Sequence, residues 1–556
     1  MERNAILATA LVILILIGYQ WYLSRFEAPP HEPAVPSAPT PPQSVAPPPT
    51  GPSAPAPSAA APAPKTYTPT ALLGLEVREV VVETPLMQVV LSTAGARVTG
   101  WRLKSYRSSG GDPVDLVAVK DPGVASGPLA AWVDSERAQA VYQVNQTRLD
   151  LSGGEATGVL TFTHVSPAGA EVQKKLTFHA NRYQVEVALT VRNLAPAEIA
   201  VEPRIAWGPG LRNSLDKKNT TLQAPTLWLD GKRVQEELPQ TNSEKVHAGA
   251  VAWAGLQDSY FAAVLIPKDK GFQAFVKKAA EDQPVVGLAA PKQTLKPGDQ
   301  TTLSATAFAG PKDLDILKEV GQDLDSIVDL GWFDFLARPA LWLLKLLYGF
   351  SGNYGVAIII VTVLQKIAFH PLTVKSLKSM QAMQAIQPKV QALQERYKNN
   401  PKKKQEETMA LYRKHGVNPM GGCLPMLVQI PIFIALYNAL SNSVEMWQAR
   451  FLWIRDLTQP DALFGVTIWG GYPLNLLALL MGASMWLQQK MSPPAGDPRQ
   501  AQMMLWMMPI VFTFMFWSFP SGLVLYWLVN NVLQVGQQWL ITRTPAHPAA
   551  VEGEAG

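Results

Sequence analysis

A single cysteine, Cys423, serves 556 residues, so no disulfide can form within the chain and any exported domain must hold by its own core. Charge is scarce: 16% of residues are Asp, Glu, Lys or Arg, while 47% are hydrophobic. No GxSxG or HExxH stretch occurs, the seven histidines are scattered, and no Asp/Glu cluster has metal-ligand spacing. The expectation is a protein with no catalytic residues, no metal and no cofactor. The long apolar stretches lack acid altogether: none contains an Asp or a Glu. Proton- and cation-coupled transporters usually carry an intramembrane carboxylate and helices broken at matching points of two repeats. Neither is legible here, so a secondary transporter or channel is the alternative reading. A third class is a ligand-binding exported domain whose spans are mere anchors.

What the chain does have is divided into unlike parts. "AILATALVILILIGYQWYLSRF" is long enough to span a bilayer and is edged by Tyr19, Trp21 and Tyr22 as an interfacial belt. No small-x-small site follows the run, which favours an uncleaved anchor at 1–25 over a signal peptide. A linker at 26–68 follows, and Pro29 to Pro64 alone hold 15 of the 47 prolines, which predicts an extended, unpacked spacer. From 69 to 330 the pattern becomes alternation with β-branched and aromatic residues, as in "KKLTFHANRYQVEVALTVRN", broken by turn signals such as "LSGGEA" and "LKPGDQ". Many short strands without helical periods between them predict a large antiparallel β-sandwich.

The segment at 331–351, which opens with "GWFDFLARPALWLLKLLYGF", carries Arg338 and Lys345 among aromatics and leucines. That composition suits an amphipathic helix lying in the membrane interface, and equally a core helix under the sandwich. Five more apolar segments predict spans at 352–371, 421–441, 471–490, 503–519 and 520–541, several of them barely the ~20 residues a normal bilayer needs. Their connectors set the orientation. Ten Lys or Arg against three Glu lie at 372–420, among them Lys375, Lys378, Lys389, Arg396, Lys402, Lys403 and Lys404; Lys490 stands just before the loop at 491–502 and Arg499 within it. The positive-inside rule makes that side cytoplasmic. Both termini, including the tail at 542–556, then lie inside, and the β domain and the loop at 442–470 outside. Met380, Met383, Ile386, Val390, Leu393 and Tyr397 recur at helical spacing and Asn399–Pro401 interrupts them, so the connector reads as a basic helical hairpin stopped at Gly416, with Pro388 as a kink.

The predicted fold is therefore a polytopic α-helical membrane protein of six transmembrane helices, with an exported β-sandwich between the first two and a cytoplasmic helical hairpin. Within the spans a few residues do not belong in lipid. Lys366 and Gln365 stand in "GVAIIIVTVLQKIAFHPLT", with Thr362 one turn before the lysine. Gln429 lies between Pro425 and Pro431, and Asn530, Gln534 and Gln538 form one i, i+4 row. Polar groups on several helices must face one another or water. They predict a wet, positively charged cavity open to the cytoplasm. The rival account, a lysine that snorkels to the headgroups, explains Lys366 but not its companions. Fourteen of the 16 methionines lie at or after Met380, a composition that suits a surface accepting varied apolar helices.

"GNYGVAIIIVTVLQKIAFHPLT", "GVNPMGGCLPMLVQIPIFIALYNAL", "QKMSPP" and "FPSGLVLYWLVNNVLQVGQQWLI" closely resemble the YidC/Oxa/Alb family of membrane-protein insertases, and the anchor with its long exported domain is similar to the Gram-negative branch of that family. The resemblance implies insertion of nascent membrane-protein clients into the inner membrane, alone or beside the Sec translocon, with membrane lipids as further partners and no small-molecule substrate. It implies a supersandwich fold for the β domain and a hairpin that meets clients and, weakly, the ribosome. Lys366 occupies the position of the family's groove arginine, keeping the charge and losing the bidentate fork. Thr362 and Gln429 match polar groove positions. Pro431, Phe433, Met515, Leu523, Leu525 and Trp527 fall where the family lines an apolar slide for the client helix. The tail after Thr544 is short and has no basic run, which argues against ribosome binding through it.

Overall fold

The computed structural model describes residues 76–543 except 109–110, 119–126, 134–139, 155, 212–223, 241–242, 280–282, 418–423, 464–465, 469–471 and 492–497. The expected anchor at 1–25, the linker at 26–68 and nearly all of the tail lie outside the described residues. Those described form two compact units, Ile386–Gly416 and the remainder.

The alternating sequence makes strands because one face can be buried at every second residue. In Gln184–Asn193, Val185, Val187, Leu189 and Val191 point inward and their neighbours stay partly exposed. That strand is central in a nine-stranded antiparallel sheet, between Gln300–Pro311 and Ala170–His179. Two five-stranded sheets accompany it, and inward side chains of all three merge into one apolar core. Trp101 ties the layers, with its ring 5.6 Å from that of Trp207 and its Nε1 donating to the carbonyl of Ala309 at 3.0 Å. One feature departs from the expected antiparallel pattern: Glu79–Glu83 pairs in parallel with Arg148–Asp150. The two segments are far apart in sequence, so no hairpin sets their direction.

After the last long strand, Asp313 caps a short helix α1 (Leu314–Val320) by accepting from the backbone of Asp315 and Ile316. Helix α2 (Asp334–Ser351) follows. One face of this helix is buried and the other is exposed. Ala337, Leu341 and Leu344 are buried, whereas Phe335, Trp342 and Phe350, with Trp332 just before the helix, remain exposed. Its two cations face carboxylates: Arg338 pairs with Asp325 and Asp334 at 2.9 Å, and Lys345 with Asp313, Asp315 and Glu445. Burial would lower the Lys345 pKa, but those three carboxylates reverse the shift and hold it above the usual lysine value.

The apolar C-terminal part is helical: α3 (Tyr354–Arg396), α4 (Pro401–Lys414), α5 (Leu424–Ser441), α6 (Leu476–Met491), α7 (Pro498–Phe516) and α8 (Ser521–Arg543). Among the described residues one helix, within α3, is both long and apolar enough to cross a membrane; shorter apolar helices occur at Leu427–Ser441 and Gln502–Phe516. Helix α3 runs without interruption through Pro371 and Pro388 for 43 residues, so the expected second span and the first arm of the expected hairpin lie on one continuous helix. The sandwich is seated on the start of the loop after α5. Trp447 packs edge-on against Tyr260 and Phe261, with ring centroids 4.8 and 5.4 Å away, and donates to the carbonyl of Arg107. Ala435, Ala439 and Val444 belong to the same apolar cluster as the sandwich core.

In the second unit, Asn400 caps α4 by accepting from Lys403 N at 3.1 Å, and Gly416 takes a φ of 64° just after it, a conformation that favours glycine. Ile386 and Val390 are the buried members of the apolar stripe. Arg396, Lys402 and Lys403 stay exposed, as does Lys389, whose Nζ lies 3.1 Å from His415 Nε2.

Candidate functional site: a polar cavity among five helices

Helix α3 carries Gln365 and Lys366 one after the other, and both are only half-buried although their surroundings are apolar. They open onto a cavity of about 380 Å³ whose walls come from α3, α5, α6, α7 and α8. The Lys366 ammonium donates to Gln534 Oε1 on α8 at 2.7 Å, its one hydrogen bond among the described residues. Gln365 Nε2 donates to Gln429 Oε1 on α5 at 3.2 Å, and the Gln429 amide donates in turn to the hydroxyl of Tyr526 on α8. A chain of amides and one phenol therefore crosses three helices beside the ammonium. The remaining wall includes Met380, Met485, Met504 and Met508 with Phe433, Phe512 and Trp527. Among the described residues lining it there is no carboxylate.

Three lining acceptors make no hydrogen bond within the protein although their atoms are buried: Gln365 Oε1, Gln489 Oε1 and Asn530 Oδ1. Unpaired buried acceptors are costly unless water or a bound molecule satisfies them. The cavity thus offers acceptors and one cation on part of its wall and adaptable thioethers and aromatic rings on the rest.

Of the residues singled out in the sequence, the cavity brings together Gln365, Lys366, Gln429, Phe433, Trp527, Asn530 and Gln534. Thr362 is elsewhere: it is fully buried, and its hydroxyl donates back to the carbonyl of Ile358 at 2.7 Å. Leu523 and Leu525 are buried in the helical core, Pro431 is half-buried and Met515 is exposed; none of the four lines the cavity. Lys375 and Lys378 are exposed farther along α3. Sequence reasoning missed Tyr526, Gln489 and Asn531. Tyr526 carries a signal all the same: it stands four residues before Asn530, so the polar row Asn530, Gln534, Gln538 extends back one more turn to reach it.

Two family models match the chain, one described as the YidC periplasmic domain over residues 79–343 and the other as the 60Kd inner membrane protein over residues 346–548. The Membrane protein insertase YidC of Syntrophus aciditrophicus is 37% identical over 98% of this chain and 100% of its own length. That of Pelobacter propionicus is 38% identical over 98% of this chain and 99% of its own. Among solved structures, an active YidC insertase with its first transmembrane domain resolved is 20% identical, covers 84% of this chain and 94% of that one, and superposes with a TM-score of 0.36.

Proposed function

The chain belongs to the YidC family of membrane protein insertases, and from that premise we propose that it passes client segments into the bilayer through the cavity around Lys366, with no covalent chemistry. As a member it is an inner-membrane protein with a periplasmic domain, here the sandwich at 79–311. An incoming segment lays its hydrophilic, often acidic, flank against the ammonium and the unpaired amide oxygens. Its apolar part rests on the methionines, Phe433 and Trp527 and leaves into lipid.

The energetic reason is the price of charge in hydrocarbon, roughly 2.5–3.5 kcal/mol for a charged residue at a helix centre on insertion scales. A cavity that replaces hydrocarbon by amides and water over part of the path removes part of that cost. Short spans thin the bilayer over the rest: α6, with 16 residues, is about 24 Å long. One observation carries this reading: an ammonium on a helix long and apolar enough to span a bilayer, paired with a neutral amide and no acid, at the wall of a 380 Å³ cavity. Lys366 attracts acidic flanks electrostatically because nothing nearby cancels its charge.

Six spans with both termini cytoplasmic agree with the ten cations of the connector at 372–420. The cavity then opens toward the cytoplasm, where clients arrive. The basic hairpin suits contact with anionic lipid, with clients and weakly with the ribosome; cooperation with the Sec translocon rests on family resemblance. The test is reconstitution of the protein in liposomes with a small single-span client, scored by protease protection of the translocated tail. Lys366→Arg should insert an acidic-tailed client at near the parental rate, and Lys366→Ala should be slower by about tenfold, equivalent to ~1.4 kcal/mol. An intact Lys366→Ala protein that inserts this client normally would overturn the proposal.

A further inference from the structure

We propose that Gln534 is the positioning residue of Lys366, a neutral acceptor that fixes the ammonium at the cavity wall without cancelling its charge, and that this pair sets the preference of the cavity for acidic clients. The inference rests on the groove reading above and deepens it.

A lysine stem of four carbons on a lipid-facing helix would otherwise reach for the headgroups. Here it is held across helices by Gln534 Oε1 at 2.7 Å. Helix α8 is itself secured beside this point: Gln538 Nε2 donates to the carbonyl of Met491 at 2.7 Å, and Asn531 Nδ2 donates to Ser484 Oγ at 3.1 Å, both on α6. The acceptor is therefore mounted on a braced helix. An ammonium has three donors, and this contact uses one of them. Two remain for a ligand in the cavity. The chemistry of position 534 decides what they meet. A carboxylate there would form an ion pair and remove the net charge from the cavity; an apolar side chain would release the stem. An amide alone orients the lysine and leaves a full positive charge for an incoming carboxylate.

Proteoliposomes of the full chain would be given two single-span clients that differ only in two tail residues, Asp in one and Asn in the other, and insertion rates compared. For the parental protein the acidic-tailed client should insert several-fold faster. In Gln534→Glu that ratio should fall toward one. Gln534→Met, which keeps the length and removes the acceptor, should lower the ratio by about half, and the double variant Lys366→Gln with Gln534→Lys, which moves the ammonium to α8, should recover part of it. If Gln534→Glu does not accumulate, Gln534→Met decides alone. A ratio unchanged in Gln534→Glu or Gln534→Met, while Lys366→Gln abolishes it, overturns the assignment of Gln534 only. A ratio that survives Lys366→Gln overturns the groove reading itself.

Discussion

Lys174 and Lys366 are both drawn out of bulk water, and their surroundings differ in every respect that matters. Lys174 lies fully buried in the sandwich core and donates to the backbone carbonyls of Ala96 and Leu129, residues with φ of 46° and 55°. Burial pulls its pKa down to about 7. A neutral amine has two N–H donors, and the two carbonyls take both, so the group is complete in itself. Lys366 is half-buried, has one neutral side-chain partner and faces open space. A buried amine whose donors are all taken by backbone carbonyls is complete within the fold, whereas an ammonium beside a cavity with one acceptor has donors left over.

The largest expected difference is in stability. Lys174→Ala removes the stem from a packed core and orphans two buried carbonyls, so it should destabilise the sandwich by about 3–5 kcal/mol. Hydrogen exchange of the strand Ala170–His179 in the detergent-solubilised protein would read this as lost protection. Lys366→Ala should leave that protection unchanged, and equal losses from the two variants would dissolve the contrast.

Proton linkage gives the next largest effect. The folded state of the sandwich holds Lys174 at about 7, below the usual lysine value of about 10.4. Between those limits the unfolded chain carries a proton that the folded one has lost, so stability should rise with pH, by up to ~1.4 kcal/mol per unit. The gain begins as pH passes about 7, and below it both states are protonated. Lys174→Met should flatten that slope in denaturant titrations between pH 7 and 8, below the range in which the fully buried Lys312, lowered by burial to about 8, adds its own. A slope that persists in the variant would assign it to another group.

The two regions were also unequally legible. Strand alternation gave the sandwich away because one buried face requires a period of two, but nothing local encodes the parallel pairing of Glu79–Glu83 with Arg148–Asp150. The hairpin stop was readable because Asn400 and Gly416 are the residue types that helix ends require. What was not readable is that the second span and the first arm of the hairpin form one helix, α3, continuous through Pro371 and Pro388. A proline removes one helical bond, whereas ending the helix near lipid would expose several backbone groups with no partner. Lys366, Gln365 and Gln429 stood out as polar intruders in apolar runs. Thr362 sits apart from the cavity, since a helical threonine satisfies itself on its own backbone as readily as it faces a cavity. Tyr526 hid because a tyrosine in an apolar run passes for packing, and Leu523 and Leu525 face the core because a slide and a core have the same composition.

The smallest effect concerns the joint between the regions. Trp447 docks on Tyr260 and Phe261, and Lys345 holds Asp313, Asp315 and Glu445 together, so the sandwich, α2 and the loop after α5 meet at one point. If the sandwich only braces that point, Trp447→Ala should loosen the contact by about 1 kcal/mol, the scale of an edge-on aromatic pair at a half-buried ring. Exchange at the strand Phe261–Pro267 should increase while client insertion changes by less than about twofold. Deleting 79–311 while keeping Asp313 to Ser351 should likewise be milder than deleting the hairpin at 372–420, because Lys345 keeps its carboxylates and the cavity wall is untouched. Insertion that falls as far in Trp447→Ala as in Lys366→Ala would mean that the sandwich acts on the cavity through α5, and the division between a structural lysine and a working one would no longer follow the division between the two regions.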